Sequence, residues 1–224
     1  MNTAVDTFVQ ELSSVTLEHV FNPYADRCVL HDRSDAPQRR KQNLALSLET
    51  AINLNVRTIW IARDLGYRGG RRTGLALTDE VHLDSYSELF RGLRVAKATK
   101  GPAVGERTAT VIWSMLRRLA EPVFLWNVFP LHPHAPDDPM SNRCHTRRER
   151  QACSHFLYEI MDLLQPETII AIGGDAHRAV DELGVKATQV RHPSYGGQST
   201  FIAQIEQAYA LPSIRPADLF TLPA

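Results

Sequence analysis

Cysteine is scarce in this 224-residue chain: Cys28, Cys144 and Cys153, an odd number without close pairing. That argues against a disulfide framework and fits reduced thiols in buried or incidental positions. Long apolar runs are missing too, and none approaches the roughly 20 residues that span a bilayer. The first residues, MNTAVDTFVQELSS, carry acidic side chains and no basic n-region, so they do not read as a secretory signal. A cytoplasmic protein with no membrane contact is the expectation. Nucleotide-binding glycine patterns are absent: Gly173-Gly174-Asp175 matches neither G-x-G-x-x-G nor G-x-x-x-x-G-K-[ST] and reads as a helix start. Zinc-type spacing is also lacking, although His132, His134, His145 and Cys144 lie close together in sequence. No metal and no cofactor are expected. There are no internal repeats and no long low-complexity tract.

Lysine is the other scarcity. Only four of the 25 cationic residues are Lys, namely Lys41, Lys97, Lys100 and Lys186. The net charge of zero excludes a protein that is basic all over, but not a basic face. Arginine supplies the rest and clusters at Arg68, Arg71 and Arg72 and again from Arg143 to Arg150. A planar guanidinium fork suits phosphate; the competing reading for such runs is a solvated helix face. Apolar content of 43% and charged content of 22% are ordinary for a globular protein. At this length a single domain over 1–224 is the default.

Apolar spacing predicts helices over 4–19 and 36–55. Thr58-Ile59-Trp60-Ile61-Ala62 is a short, nearly all-apolar run, as a buried parallel strand requires. A Gly- and Arg-rich loop follows over 63–78, and 92–105 reads as an exposed insertion. A helix at about 106–119 leads to a second strand, Val123-Phe124-Leu125-Trp126. Residues 128–145 hold four prolines and three histidines and read as irregular. A helix over 146–164, a strand at 168–172, a helix opening at 173–175, a strand at 188–190 and a helix at 198–209 complete the pattern. The Pro-rich tail from Leu211 is expected at the surface. Alternating strands and helices of this kind build an α/β three-layer sandwich on a four-stranded central parallel sheet. Ligands of such folds bind outside the carboxyl ends of the strands.

Three segments fall at such ends: Ala62-Arg63-Asp64-Leu65-Gly66-Tyr67, Trp126-Asn127-Val128 and Arg191-His192-Pro193-Ser194. Taken singly, each has a plain reading. An Asp in a turn is usually a cap, an Asn at a strand end usually satisfies backbone, and a His before Pro is usually a loop residue. Their joint order and spacing resemble the uracil-DNA glycosylase superfamily, nearest to its iron-sulfur bacterial branches, over about Phe21 to Tyr209. The continuation Tyr67-Arg68-Gly69-Gly70-Arg71-Arg72-Thr73-Gly74 is similar to those branches. The four cluster cysteines are not present.

The resemblance implies a monofunctional, monomeric DNA-repair enzyme that flips uracil out of DNA and hydrolyses its N-glycosidic bond. Asp64 would stabilise the sugar cation and orient water, His192 would donate to the departing base, and Asn127 would pair with N3–H and O4 of uracil. Ala62, Arg63, Gly66 and Leu77 fall in the base-binding positions. Arg68, Arg71, Arg72 and Ser194 would meet phosphate, with Tyr195 available to fill the gap left by the flipped base. No Lys lies in the three segments, which disfavours a Schiff base. Several positions depart from the family pattern. Ala62 replaces its Gly, Arg63 its Gln or Glu, and Leu65 its Pro. Gly66 stands where the most selective branch has a Tyr against the thymine methyl, which implies a roomier pocket. Leu77 stands where an aromatic usually stacks, a role that Tyr67 or Phe129 could take over. Excision of hypoxanthine, xanthine or mismatched thymine, and a non-catalytic uracil-DNA binder, therefore stay open.

Overall fold

A computed structural model describes residues 3–119 and 121–213. Its centre is a parallel sheet of β2 (Thr58–Asp64), β3 (Phe124–Phe129), β5 (Thr168–Ile172) and β6 (Thr188–Val190), in the order β3-β2-β5-β6. A two-stranded antiparallel pair, β1 (Val20–Phe21) with β4 (His132–Pro133), lies outside it. The helices are α1 (Thr3–Ser14), α2 (Ala36–Asn53), α3 (Gly70–Thr73), α4 (Leu83–Leu89), α5 (Arg107–Leu116), α6 (Arg147–Leu164), α7 (Gly174–Glu182) and α8 (Gln198–Ala208). The chain steps one way from β2 to β3 through α5, and the other way through α6 and α7 to β5 and β6. Right-handed crossovers then place α5 on one face and α6 and α7 on the other. The expected three-layer α/β sandwich is the observed architecture.

The side-chain alternation of the strands decides what each layer meets. Trp60 turns toward α8, where its indole N–H donates to Tyr209 Oη at 2.8 Å and its ring lies edge-on to Phe201. On the opposite face Trp126 packs against Phe8 of α1, which in turn meets Phe156 of α6 edge-on. All of these rings except that of Tyr209 are buried and belong to one contiguous apolar cluster running from α1 to α8.

The local differences from the expected elements have physical causes. The first helix ends at Ser14 rather than 19 because Asn22 Nδ2 donates to the carbonyls of Leu12 and Val15, closing the helix end. The 63–78 loop contains the short helix α3, terminated by Gly74 at φ +74°, whose N–H donates to Gly70 O. Nor is 92–105 simply an exposed insertion: Ala98 and Thr99 are fully buried. The segment is a strap, tied by Arg33 N–H to Ala98 O at 3.0 Å and Lys100 N–H to His31 O at 2.7 Å. Beneath it the fully buried Glu80 carboxylate takes Arg72 at 3.0 Å, the Thr99 hydroxyl and the Val104 N–H. Most of the Pro-rich tail, from residue 214, lies outside the described residues.

Candidate active site

Asp64 is the last residue of β2 and pairs in register with Phe129 of β3, two steps beyond the Ala62–Asn127 pair. Asp64, Ala62 and Trp60 share one side of the strand, as do their register partners on β3, so Asp64 and Asn127 emerge on the α5/α8 face. The Asp64 side chain is nearly buried, and its charge is answered twice. Arg63 Nε donates to Oδ2 at 2.5 Å, and His145 Nδ1 bonds Oδ1. Arg63 itself points across the sheet edge and reaches Asp175, in the first turn of α7, at 3.0 Å. Burial works against the Arg63 charge, but Asp64 and Asp175 outweigh it and hold the guanidinium above its ordinary value. Arg63 is therefore committed to two carboxylates rather than free to meet a base.

Asn127 is 1% exposed, and its Oδ1 has no hydrogen-bond partner. An unanswered buried acceptor costs about 1–3 kcal/mol; Trp126 Nε1 and His132 Nδ1 are the other buried side-chain polar atoms without a partner among the described residues. Ala62 beside Asn127 is equally sealed.

His192 lies after β6, with its Cβ 3.4 Å from the position a Cβ on Gly173 would take. The backbone N–H of Ser194 donates to its Nδ1 at 3.2 Å, and the Ser194 hydroxyl lies 2.7 Å from the same nitrogen. An amide N–H can only donate, so Nδ1 is the acceptor and the ring proton sits on Nε2. Burial, with help from Arg63 and Arg191, pushes His192 down to about 4. At neutral pH it is an uncharged imidazole that presents Nε2–H.

That tautomer corrects the phosphate role of Ser194: its hydroxyl hydrogen goes to His192 and is not available to a phosphate oxygen. Two of the expected phosphate-binding arginines are also used internally. Arg72 is buried in its ion pair with Glu80 and donates to Thr99 Oγ1 at 3.2 Å. Arg71, also buried, bonds the Pro139 carbonyl and lies 4.1 Å from the centroid of the Phe21 ring. Arg68 is exposed over Tyr67, and Tyr195 is 97% exposed at φ +52° on the turn that bears His192. We expect Arg72→Ala to lower stability by about 3 kcal/mol, because it leaves the buried Glu80 charge with only the longer Lys97 contact at 3.7 Å as a cationic partner. Chemical denaturation checks this; a DNA-contact role would instead leave stability unchanged and weaken DNA binding.

The space beside Gly66 is not open either. A Cβ at Gly66 would lie 2.7 Å from Glu106 Oε1, and one at Gly69 would lie 2.2 Å from Oε2. The roomier pocket expected from Gly66 is thus filled by a carboxyl group from the residue preceding α5. Leu77, at φ +54°, packs on the core while its carbonyl accepts from Trp113 Nε1 at 3.2 Å. Phe129 is fully buried with its ring 5.4 Å from that of His145, so it supports the site from beneath and offers no free face for stacking. Tyr67 is half-buried, and its N–H donates to Asn142 Oδ1 at 2.9 Å.

Sequence reasoning missed His145 and Glu106. His145 looked like one of several scattered histidines; its neighbours His132 and His134 are bonded to the Ser141 and Ala135 carbonyls, and only His145 meets Asp64. Glu106 carried no signal beyond its place before a predicted helix, because only the folded crossover brings it to the Gly66 turn.

Comparison with known proteins gives the fold and the family. No curated protein matches the chain. Among solved structures, the Pedobacter heparinus protein described as WT SMUG2 superposes with a TM-score of 0.63 at 14% identity, over 94% of this chain and 98% of its own. That likeness is one of fold. The family model "Uracil DNA glycosylase superfamily" matches residues 52–223, which takes in all three strand-end segments. The chain belongs to the uracil DNA glycosylase superfamily, whose members are DNA glycosylases.

Proposed function

We propose that this protein is a monofunctional glycosylase that removes uracil from DNA. The observation that carries the reading is the unpartnered Asn127 Oδ1, buried on the same sheet face as Asp64. Uracil offers N3–H to that oxygen and O4 to the amide N–H, whereas cytosine presents an acceptor at N3. In the reaction the C1′–N1 bond breaks and its electron pair stays on the base, delocalised toward O2. His192, neutral with its proton on Nε2, donates a hydrogen bond to that oxygen and stabilises the anion. Asp64, oriented by Arg63 and His145, stabilises the positive deoxyribose and takes a proton from the water that attacks C1′. The products are free uracil and an abasic site. Arg68 meets the phosphate backbone, and Tyr195 enters the stack where the base has left. The continuous core from α1 to α8 supports treating 1–224 as one domain, and the family resemblance supports a monomer acting on DNA.

Replacing Asn127 by Ala removes the pairing and its selectivity together. We expect uracil excision to fall about 10–100-fold, the equivalent of 1–3 kcal/mol, and the uracil-to-cytosine ratio to shrink. Single-turnover excision from paired uracil and cytosine oligonucleotides measures both. An unchanged ratio removes Asn127 from base reading.

A second reading keeps the chemistry and changes the base. Thymine, hypoxanthine and xanthine also present N–H beside C=O, and Asn127 alone does not separate them from uracil. A panel of single-lesion duplexes decides among them. The non-catalytic binder is disfavoured by the presence of both Asp64 and a neutral His192.

A further inference from the structure

We propose that Glu106 is a base-contacting residue of this site: its carboxyl group stands over the turn that follows Asp64 and donates a hydrogen bond to a carbonyl oxygen of the flipped base. This rests on the glycosylase reading above.

Position comes first. α5 leads back into β3, so it runs antiparallel to the sheet and its first turn lies at the carboxyl edge, where Asp64 and Asn127 end. Glu106 is the residue just before that turn. Its N–H is anchored by Asp79 Oδ2 at 2.6 Å, and Asp79 is held in turn by the N–H groups of Val81 and His82 and by the His82 ring at 2.6 Å. The backbone is thus fixed, and the side chain projects onto Gly66 and Gly69 at the close distances given above. Any side chain at either glycine would displace it.

The carboxyl group is unanswered, and this sets it apart from its neighbours. Asp64 has Arg63 and His145; Asp79 has three N–H groups and His82; Glu80 has Arg72, Lys97, Thr99 and Val104. Among the described residues nothing donates a hydrogen bond to the Glu106 carboxyl group, although its backbone carbonyl accepts from Thr110. The charged groups facing it are Asp79 from the segment before α4 and Arg68 from the glycine turn. Burial first, and then the Asp79 carboxylate, push Glu106 up to about 7, against the opposing pull of Arg68. Near neutral pH a large share of the group is therefore an uncharged acid with an O–H to give.

The chemistry follows. A protonated acid donates to a base carbonyl and strengthens that contact as negative charge builds on the leaving base. An ionised carboxylate repels the same charge. The ligand class is a base with a ring carbonyl: uracil, hypoxanthine or xanthine. No proton is transferred; the contact only stabilises.

The test compares wild type, Glu106→Gln and Glu106→Ala in single-turnover excision of uracil from oligonucleotides between pH 5.5 and 8.5. Gln keeps a donor and cannot ionise. Wild type should lose about tenfold in rate per pH unit above 7. Glu106→Gln should keep its rate across the range, and Glu106→Ala should be at least about tenfold slower than wild type below pH 7, with the gap closing as pH rises above 7. Thermal melting gives a readout independent of activity. A raised carboxyl pKa means that the folded state holds an extra proton between the ordinary value of 4.5 and about 7. Wild-type stability should therefore fall across that window relative to Glu106→Gln. The same alkaline fall in Glu106→Gln as in wild type, or an Ala variant as fast as wild type below pH 7, would overturn the inference alone. A folded wild type that excises no base at any pH would overturn the glycosylase reading and this inference with it.

Discussion

Asp64→Asn is expected to slow excision by about 10²–10⁴-fold while leaving DNA affinity nearly unchanged. The asparagine fills the same space at the end of β2 but cannot ionise, so it neither offsets the sugar cation nor accepts the proton of the attacking water. Its amide oxygen can still accept from Arg63 while its N–H donates to His145 Nδ1 with the imidazole proton on Nε2, and Arg63 keeps Asp175 as a partner. Folding should therefore survive. Single-turnover rates on a uracil oligonucleotide, with fluorescence anisotropy for binding, separate the two effects. If excision is unaltered while binding falls, Asp64 is a positioning residue for DNA and not part of the chemistry.

His192→Ala should cost about 10²–10³-fold in the same assay, the usual loss when one preorganised donor to a developing oxyanion is removed. The pH behaviour sharpens this. A histidine whose pKa falls from 6.5 to about 4 on folding stays neutral until the solution is strongly acidic. The folded state then binds fewer protons than the unfolded chain between those values. Its stability is fully present above pH 6.5 and is lost as pH falls toward 4. Between pH 7 and 5.5 the wild-type rate should show no acid limb assignable to His192. A limb near pH 6.5 that disappears in His192→Gln would mean that the active form is the imidazolium, and the neutral-donor account would fail.

Much of this was legible before the fold was known. The all-apolar runs around Trp60, Trp126 and Ile170 read as buried parallel strands, and the positions of Asp64 and Asn127 toward the ends of the first two follow from that, while His192 follows the short strand Thr188–Val190. Where sequence reasoning went astray, the cause was long-range electrostatics. Arg71 and Arg72 look like phosphate ligands because nothing local reveals that Glu80, the Phe21 ring and the 92–105 strap will enclose them. Ser194 looks free until the folded turn brings its hydroxyl onto His192 Nδ1. Gly66 suggests space because a sequence cannot show that Glu106, 40 residues later, fills it. His145 was the least visible, since its link to Asp64 spans 81 residues and carries no spacing pattern.

The most direct test of the central claim is alkaline strand cleavage of single-uracil oligonucleotides, single- and double-stranded, after incubation with the wild-type protein. Excision leaves an abasic site that alkali breaks, so the account predicts a strand break at the uracil position, absent from a cytosine control. Intact uracil strands, from a folded protein that breaks hypoxanthine or xanthine strands instead, would contradict the uracil assignment. Intact strands for every base would contradict glycosylase activity itself.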